Sequence, residues 1–125
     1  MSIEAQLDKV NGFPEGSREA LQEYLETGKR EALDRLVVHA IRHYLPSTSQ
    51  YKTDHSLAIT PDMQIVADVG MDSLSMMELV FFMEDVFDVQ IEATEMQEIK
   101  TIGQLMDFAD NRLGPKLKAS ASGAA

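Results

Sequence analysis

The chain has 125 residues, with 11 Lys and Arg against 21 Asp and Glu, a formal charge of −10, and neither Cys nor Trp. That length holds one domain with modest appendages, and the negative charge argues against a nucleic-acid partner, whose phosphates need Lys/Arg neutralisation. Without Cys there are no disulfides, no Cys-ligated zinc or iron–sulfur cluster and no thiol catalysis, so any sulfur chemistry has to come from a prosthetic group.

No apolar run is long enough for a membrane span, and the N-terminal stretch lacks the basic and apolar regions of a signal peptide. A cytoplasmic monomer is therefore expected. The charge is uneven: residues 53–99 carry 11 acids and no Lys or Arg, whereas residues 1–52 nearly balance. Such a one-signed block opposes compaction and steers the chain toward basic surfaces.

Residues 1–28 read as an N-terminal extension. Ile3, Leu7 and Val10 keep helical spacing until Asn11-Gly12-Phe13-Pro14 breaks it. Ser17 is placed to cap a short helix carrying Leu21, Tyr24 and Leu25, with Gly28 as its stop. From about Glu31 to Leu45 the apolar positions Leu33, Leu36, Val37, Ala40, Ile41 and Tyr44 predict a helix that Pro46 ends. Arg35, His39, Arg42 and His43 fall on its other side. His39 and His43 stand at zinc-compatible i, i+4 spacing, but they share that face with two arginines and no third ligand. A solvated basic face is the reading adopted, with no metal.

Residues 46–71 show neither helix nor strand pattern, a length of loop that points either to function or to a missed element. Asp72 then opens a helix to about Phe87, a short helical piece covers Thr94–Ile99, and a last helix covers about Thr101–Leu113. Gly114-Pro115 is expected to stop the chain, leaving residues 114–125 as a disordered tail. The fold class is all-α: a small bundle of three main helices and a short one, with a long loop between the first two. The domain that these helices form spans 29–113.

The helix opened by Asp72 has two apolar stripes. Met76, Leu79, Val80, Met83, Val86 and Phe87 form a core arc, while Leu74, Met77 and Phe81 lie among Glu78, Glu84, Asp85 and Asp88. An apolar stripe set among acids suits an interface, because burial supplies affinity and charge supplies orientation. At the helix start Asp72 is an N-cap candidate and Ser73 the first helical residue. Ser73 is either an ordinary cap neighbour or a modification site, since a phosphate ester is favoured at a helix N-terminus. It is not a hydrolase nucleophile: Gly70-Met71-Asp72-Ser73-Leu74 is not G-x-S-x-G.

The stretch from Ile59 through Gly70-Met71-Asp72-Ser73-Leu74 to Glu78-Leu79 resembles the acyl carrier protein family. The similarity runs on without a gap through Phe87-Asp88-Val89-Gln90-Ile91 and Ile99-Lys100-Thr101-Ile102 to about Ala109. The resemblance implies that Ser73, flanked by Asp72 and Leu74, receives 4′-phosphopantetheine from coenzyme A through a phosphopantetheinyl transferase. The arm's thiol then carries an acyl chain as a thioester. It also implies a non-catalytic carrier whose partners, acyl-transferring or synthase enzymes with basic docking patches, meet Leu74, Met77, Glu78, Phe81, Glu84 and Asp85. The acyl chain is expected among Val66, Leu79, Met83, Ile91 and Ile99. Fatty-acid, lipid or polyketide synthesis is the implied setting. An aminoacyl or other specialised cargo is the alternative within the class, and a plain acidic interaction protein the alternative outside it.

Three positions depart from the family pattern. Ser75 replaces a common acid, Phe82 a small residue and Val86 an acid. The latter two widen the apolar arc, either for a larger acyl pocket or for docking of the extension, which is the reading favoured here. The methionines 71, 76, 77, 83, 96 and 106 suit an ordinary core or an adaptable pocket equally.

Overall fold

A computed structural model describes residues 3–115. Its described residues fold as helices joined by turns, with a lone antiparallel bridge between Gln64 and Thr101 and no strand. In chain order they are α1 (Ile3–Leu7, continued by a 3-10 turn at Asp8–Val10), α2 (Ser17–Thr27), α3 (Arg30–Tyr44), α4 (Gln50–Thr53), α5 (Ser73–Phe87), α6 (Ala93–Gln97) and α7 (Ile102–Phe108). A π-helical turn at Ala109–Leu113 extends α7. The all-α architecture expected from periodicity is thus present, with α3, α5 and α7 as the main helices and α6 as the short one.

The core forms where the apolar stripes of α3, α5 and α7 meet. Leu33, Leu36, Ile41, Leu79, Val86, Ile102 and Leu105 are essentially inaccessible to solvent. Leu7, Val10, Ala20, Leu21 and Tyr24 belong to the same buried cluster, so the extension adds to this core instead of forming one of its own. At the far end of the chain, Gly114 keeps helical dihedrals and packs closely under Tyr24: a Cβ there would lie 2.5 Å from the tyrosine hydroxyl oxygen. The helical path therefore runs through the expected stop at Gly114-Pro115. The remainder of the expected tail, 116–125, lies outside the described residues.

Two local expectations are corrected. Ser17 is not the cap of α2. Gly16, at φ 97°, holds that position in the left-handed region, and Ser17 Oγ donates to the Pro14 carbonyl at 2.6 Å. Glycine reaches such a φ without the Cβ penalty, which frees the serine to close the preceding turn. The basic side of α3 is solvated only in part: Arg35 is exposed and pairs with Glu23 at 2.8 Å, but its neighbours are covered. Arg42 is buried and donates to the carbonyls of Tyr51 (2.7 Å) and Leu57 (2.6 Å), and Phe13 stacks on His43 at a ring separation of 3.9 Å. The loop and the extension cover that part of the face.

The long loop also contains a helical turn that periodicity did not reveal. Ser49 caps α4 by accepting from Tyr51 N–H, and Lys52 donates to the His43 carbonyl at the end of α3. Four residues are too few to show an apolar period.

Candidate functional site

Ser73 is the first residue of α5, and the chain on either side explains why it sits there. On the loop side Ser49 Oγ donates to the Val69 carbonyl at 2.7 Å, next to Gly70, whose φ of 94° turns the chain. Ile65 N–H donates to the Lys100 carbonyl and Ile102 N–H to the Met63 carbonyl, tying the same loop to the start of α7. Ile65, Val69 and Met71 are buried, so the loop reaches Asp72 as a fixed lead-in. On the helix side Asp72 is the N-cap, its carboxylate accepting from Ser75 N–H at 2.8 Å. That backbone hydrogen bond, with the Ser75 side chain second, holds the Asp72 carboxyl below the usual carboxylate range. Ser73 and Leu74 are left exposed at the positive end of a helix of 15 residues.

A groove of about 1020 Å³ starts at Asp72 and Ser73 and runs between α5 and α6. Its walls are chiefly apolar: Met76, Val80 and Phe81 from α5, Met96 from α6, and Ile91 and Ile99 from the flanking loops. Glu84 holds one wall in place by accepting Ile91 N–H at 2.9 Å.

Of the residues expected to contact an acyl chain, Val66, Ile91 and Ile99 line this groove. Leu79 and Met83 point into the main core and are not among its lining residues. Leu74, Met77 and Phe81 are 67%, 54% and 58% exposed, and no helix among the described residues covers them. Glu78 is exposed beside them. Glu84 and Asp85 have internal tasks: Glu84 holds Ile91, and Asp85 is paired with Lys9 at 3.3 Å. Phe82 meets Phe13 at a ring separation of 4.9 Å, placing it in the docking of the extension and not in the groove.

Sequence reasoning placed Met76 and Val80 in the core arc, whereas both line the groove, and it did not single out Lys9. For Val80, the signal lies in its position on the seam between the two stripes of α5. For Lys9, the only hint is that residues 53–99 contain no Lys or Arg of their own.

The comparisons agree with this geometry. Residues 53–109 match the family described as the phosphopantetheine attachment site. The acyl carrier protein of Amoebophilus asiaticus is 36% identical over 58 residues, which is 46% of this chain and 72% of that protein. That of Syntrophobacter fumaroxidans is 40% identical over 50 residues, covering 40% and 62%. That of Borreliella burgdorferi is 38% identical over 56 residues, covering 45% and 70%. No solved structure matches. With the loop, the capped helix start and the groove in the matched region, the chain belongs to the acyl carrier protein family, and its cofactor is 4′-phosphopantetheine.

Proposed function

We propose that Ser73 carries the phosphopantetheine arm and that the chain presents acyl groups to other enzymes without catalysing a reaction itself. The observation that carries this reading is the junction of an exposed serine at the α5 N-terminus with an apolar groove that begins at the same residue. The group fits the residues present. A phosphodiester on Ser73 sits where the helix end favours negative charge, and the groove beyond it accepts hydrocarbon. When bound, the arm supplies the thiol that the sequence lacks, and with it the thioester linkage. The protein's share is orientation by Asp72 and the loop 64–71, and shelter of the cargo from water.

The lining favours a fatty or polyketide chain over an aminoacyl cargo. Each buried methylene contributes about 0.8 kcal/mol, whereas an ammonium group in the same groove would lose hydration and meet a lining whose one carboxylate, Asp72, is already the cap of α5. The partners in this reading are a phosphopantetheinyl transferase and enzymes with basic patches that meet Leu74, Met77, Glu78 and Phe81. The expected site of action is the cytoplasm.

The test is intact-mass analysis after incubation with coenzyme A and a phosphopantetheinyl transferase. The wild-type chain should gain one phosphopantetheinyl group and Ser73→Ala none. Equal gain on the variant, or no gain on the wild type, contradicts the assignment.

A further inference from the structure

The extension does more than fill the core. Lys9 Nζ reaches α5 from 76 positions away in sequence, donating to the Asp85 backbone carbonyl at 2.8 Å while pairing with the Asp85 carboxylate at 3.3 Å. Helix C-termini leave carbonyls unpaired and attract cations. The last turn of α5 contains no basic residue, and residues 53–99 as a whole have no Lys or Arg. The cation therefore has to come from elsewhere in the chain. Lys9 is held at this point because Leu7 and Val10 are buried on either side of it and Phe13 packs on Phe82 and His43. Its own side chain is only 17% exposed, whereas that of Asp85 is 66% exposed.

Leu74, Met77, Glu78, Phe81 and Asp85 follow i, i+3, i+4, i+7, i+11 and so form one strip along α5, with Lys9 across its far end. We propose that Lys9 is a specificity-determining residue: it commits Asp85 to an internal ion pair and ends the partner-facing strip at Phe81. This rests on the reading that Ser73 is loaded and that partners approach along α5. An enzyme whose basic patch extends to Asp85 has to displace Lys9, and the loading transferase is included among such enzymes. Enzymes that read only Leu74 to Phe81 bind without that penalty.

The experiment measures kcat and KM for loading of the full chain by a broad-specificity phosphopantetheinyl transferase with coenzyme A at low ionic strength. Lys9→Ala should lower KM for the carrier roughly threefold with kcat unchanged, as expected for a freed surface charge. The gain should vanish at high salt and in the Lys9→Ala/Asp85→Asn double variant. Lys29→Ala removes the same charge from the N-cap of α3 and should not reproduce it. Unchanged KM in Lys9→Ala, an equal effect of Lys29→Ala, or a gain that persists without the Asp85 charge overturns the proposal. Melting curves confirm that each variant is folded. Absence of loading on every chain, wild type included, defeats the Ser73 assignment itself and this proposal with it.

Discussion

At the residue scale, the environments of His39 and His43 show how the extension and loop change the chemistry of α3. Burial, followed by Arg42 and Arg35, lowers the pKa of His39 from its usual value. Burial, followed by Lys52, lowers that of His43 against an opposing pull from Glu78. Both imidazoles are thus held neutral in the folded chain, while the unfolded chain takes up their protons near pH 6.5. Their contribution to stability is complete above that value and is lost as pH falls toward the folded-state values. Titration of the imidazole proton resonances should give midpoints below 6.5 for both residues. Midpoints at or above it would mean that Phe13 and the loop do not cover this face in solution. Sequence alone places the two histidines on the polar side of α3, because a helical wheel has no information about Phe13, 30 positions away from His43. Ser73 is the contrasting case. Its helix start and cap are local, so spacing shows where α5 begins, while the role of Ser73 comes from the family resemblance.

At the scale of elements, α3 and α5 were legible because each repeats apolar residues over four turns. The stop of α2 at Gly28 was also legible, since a left-handed C-cap (φ 70°) is what a glycine after a helix indicates. The start of α2 was not, because Ser17 has the chemistry of a cap while Gly16 has the required backbone. The packing of Gly114 against α2 was equally hidden. Gly114 packs beneath Tyr24, and only the folded structure shows that a methyl group there meets a fully buried ring. Propensity alone favours alanine over glycine in a helix by up to about 1 kcal/mol. The steric conflict is the larger effect, since overpacking of this kind costs about 1–3 kcal/mol. Gly114→Ala should therefore lower stability in chemical denaturation, and Tyr24→Phe in the same background should recover part of the loss. A stabilised Gly114→Ala chain would show that the turn at 109–113 does not pack as described. The groove is the intermediate case. Ile91 and Ile99 were foreseen from the family resemblance, but Leu79 and Met83 are core residues, because the wheel gives the width of an apolar arc and not which neighbour each side chain meets.

At the scale of the whole molecule, the acid block at 53–99 is divided among several tasks. Asp72 caps α5, Glu84 fixes Ile91, Asp85 takes Lys9 and Glu95 takes Arg112 at 2.9 Å. Glu78 stays exposed beside Leu74, Met77 and Phe81. The formal charge of −10 still leaves net self-repulsion, which dissolved salt screens within a Debye length of about 3 Å at 1 M. The melting temperature should accordingly rise with sodium chloride. A fall would mean that the surface ion pairs outweigh the repulsion. The missing thiol belongs to this scale too: a chain with no Cys takes its reactive sulfur from the arm.

That claim is tested most directly by locating the arm. Ser75 lies two residues beyond Ser73 in the same helix turn, but it is buried, whereas Ser73 is exposed at the mouth of the groove. After loading with coenzyme A and the transferase, fragmentation of the peptide containing both serines should place the phosphopantetheinyl group on Ser73 alone. Its appearance on Ser75, or on any residue outside this peptide, would contradict the account.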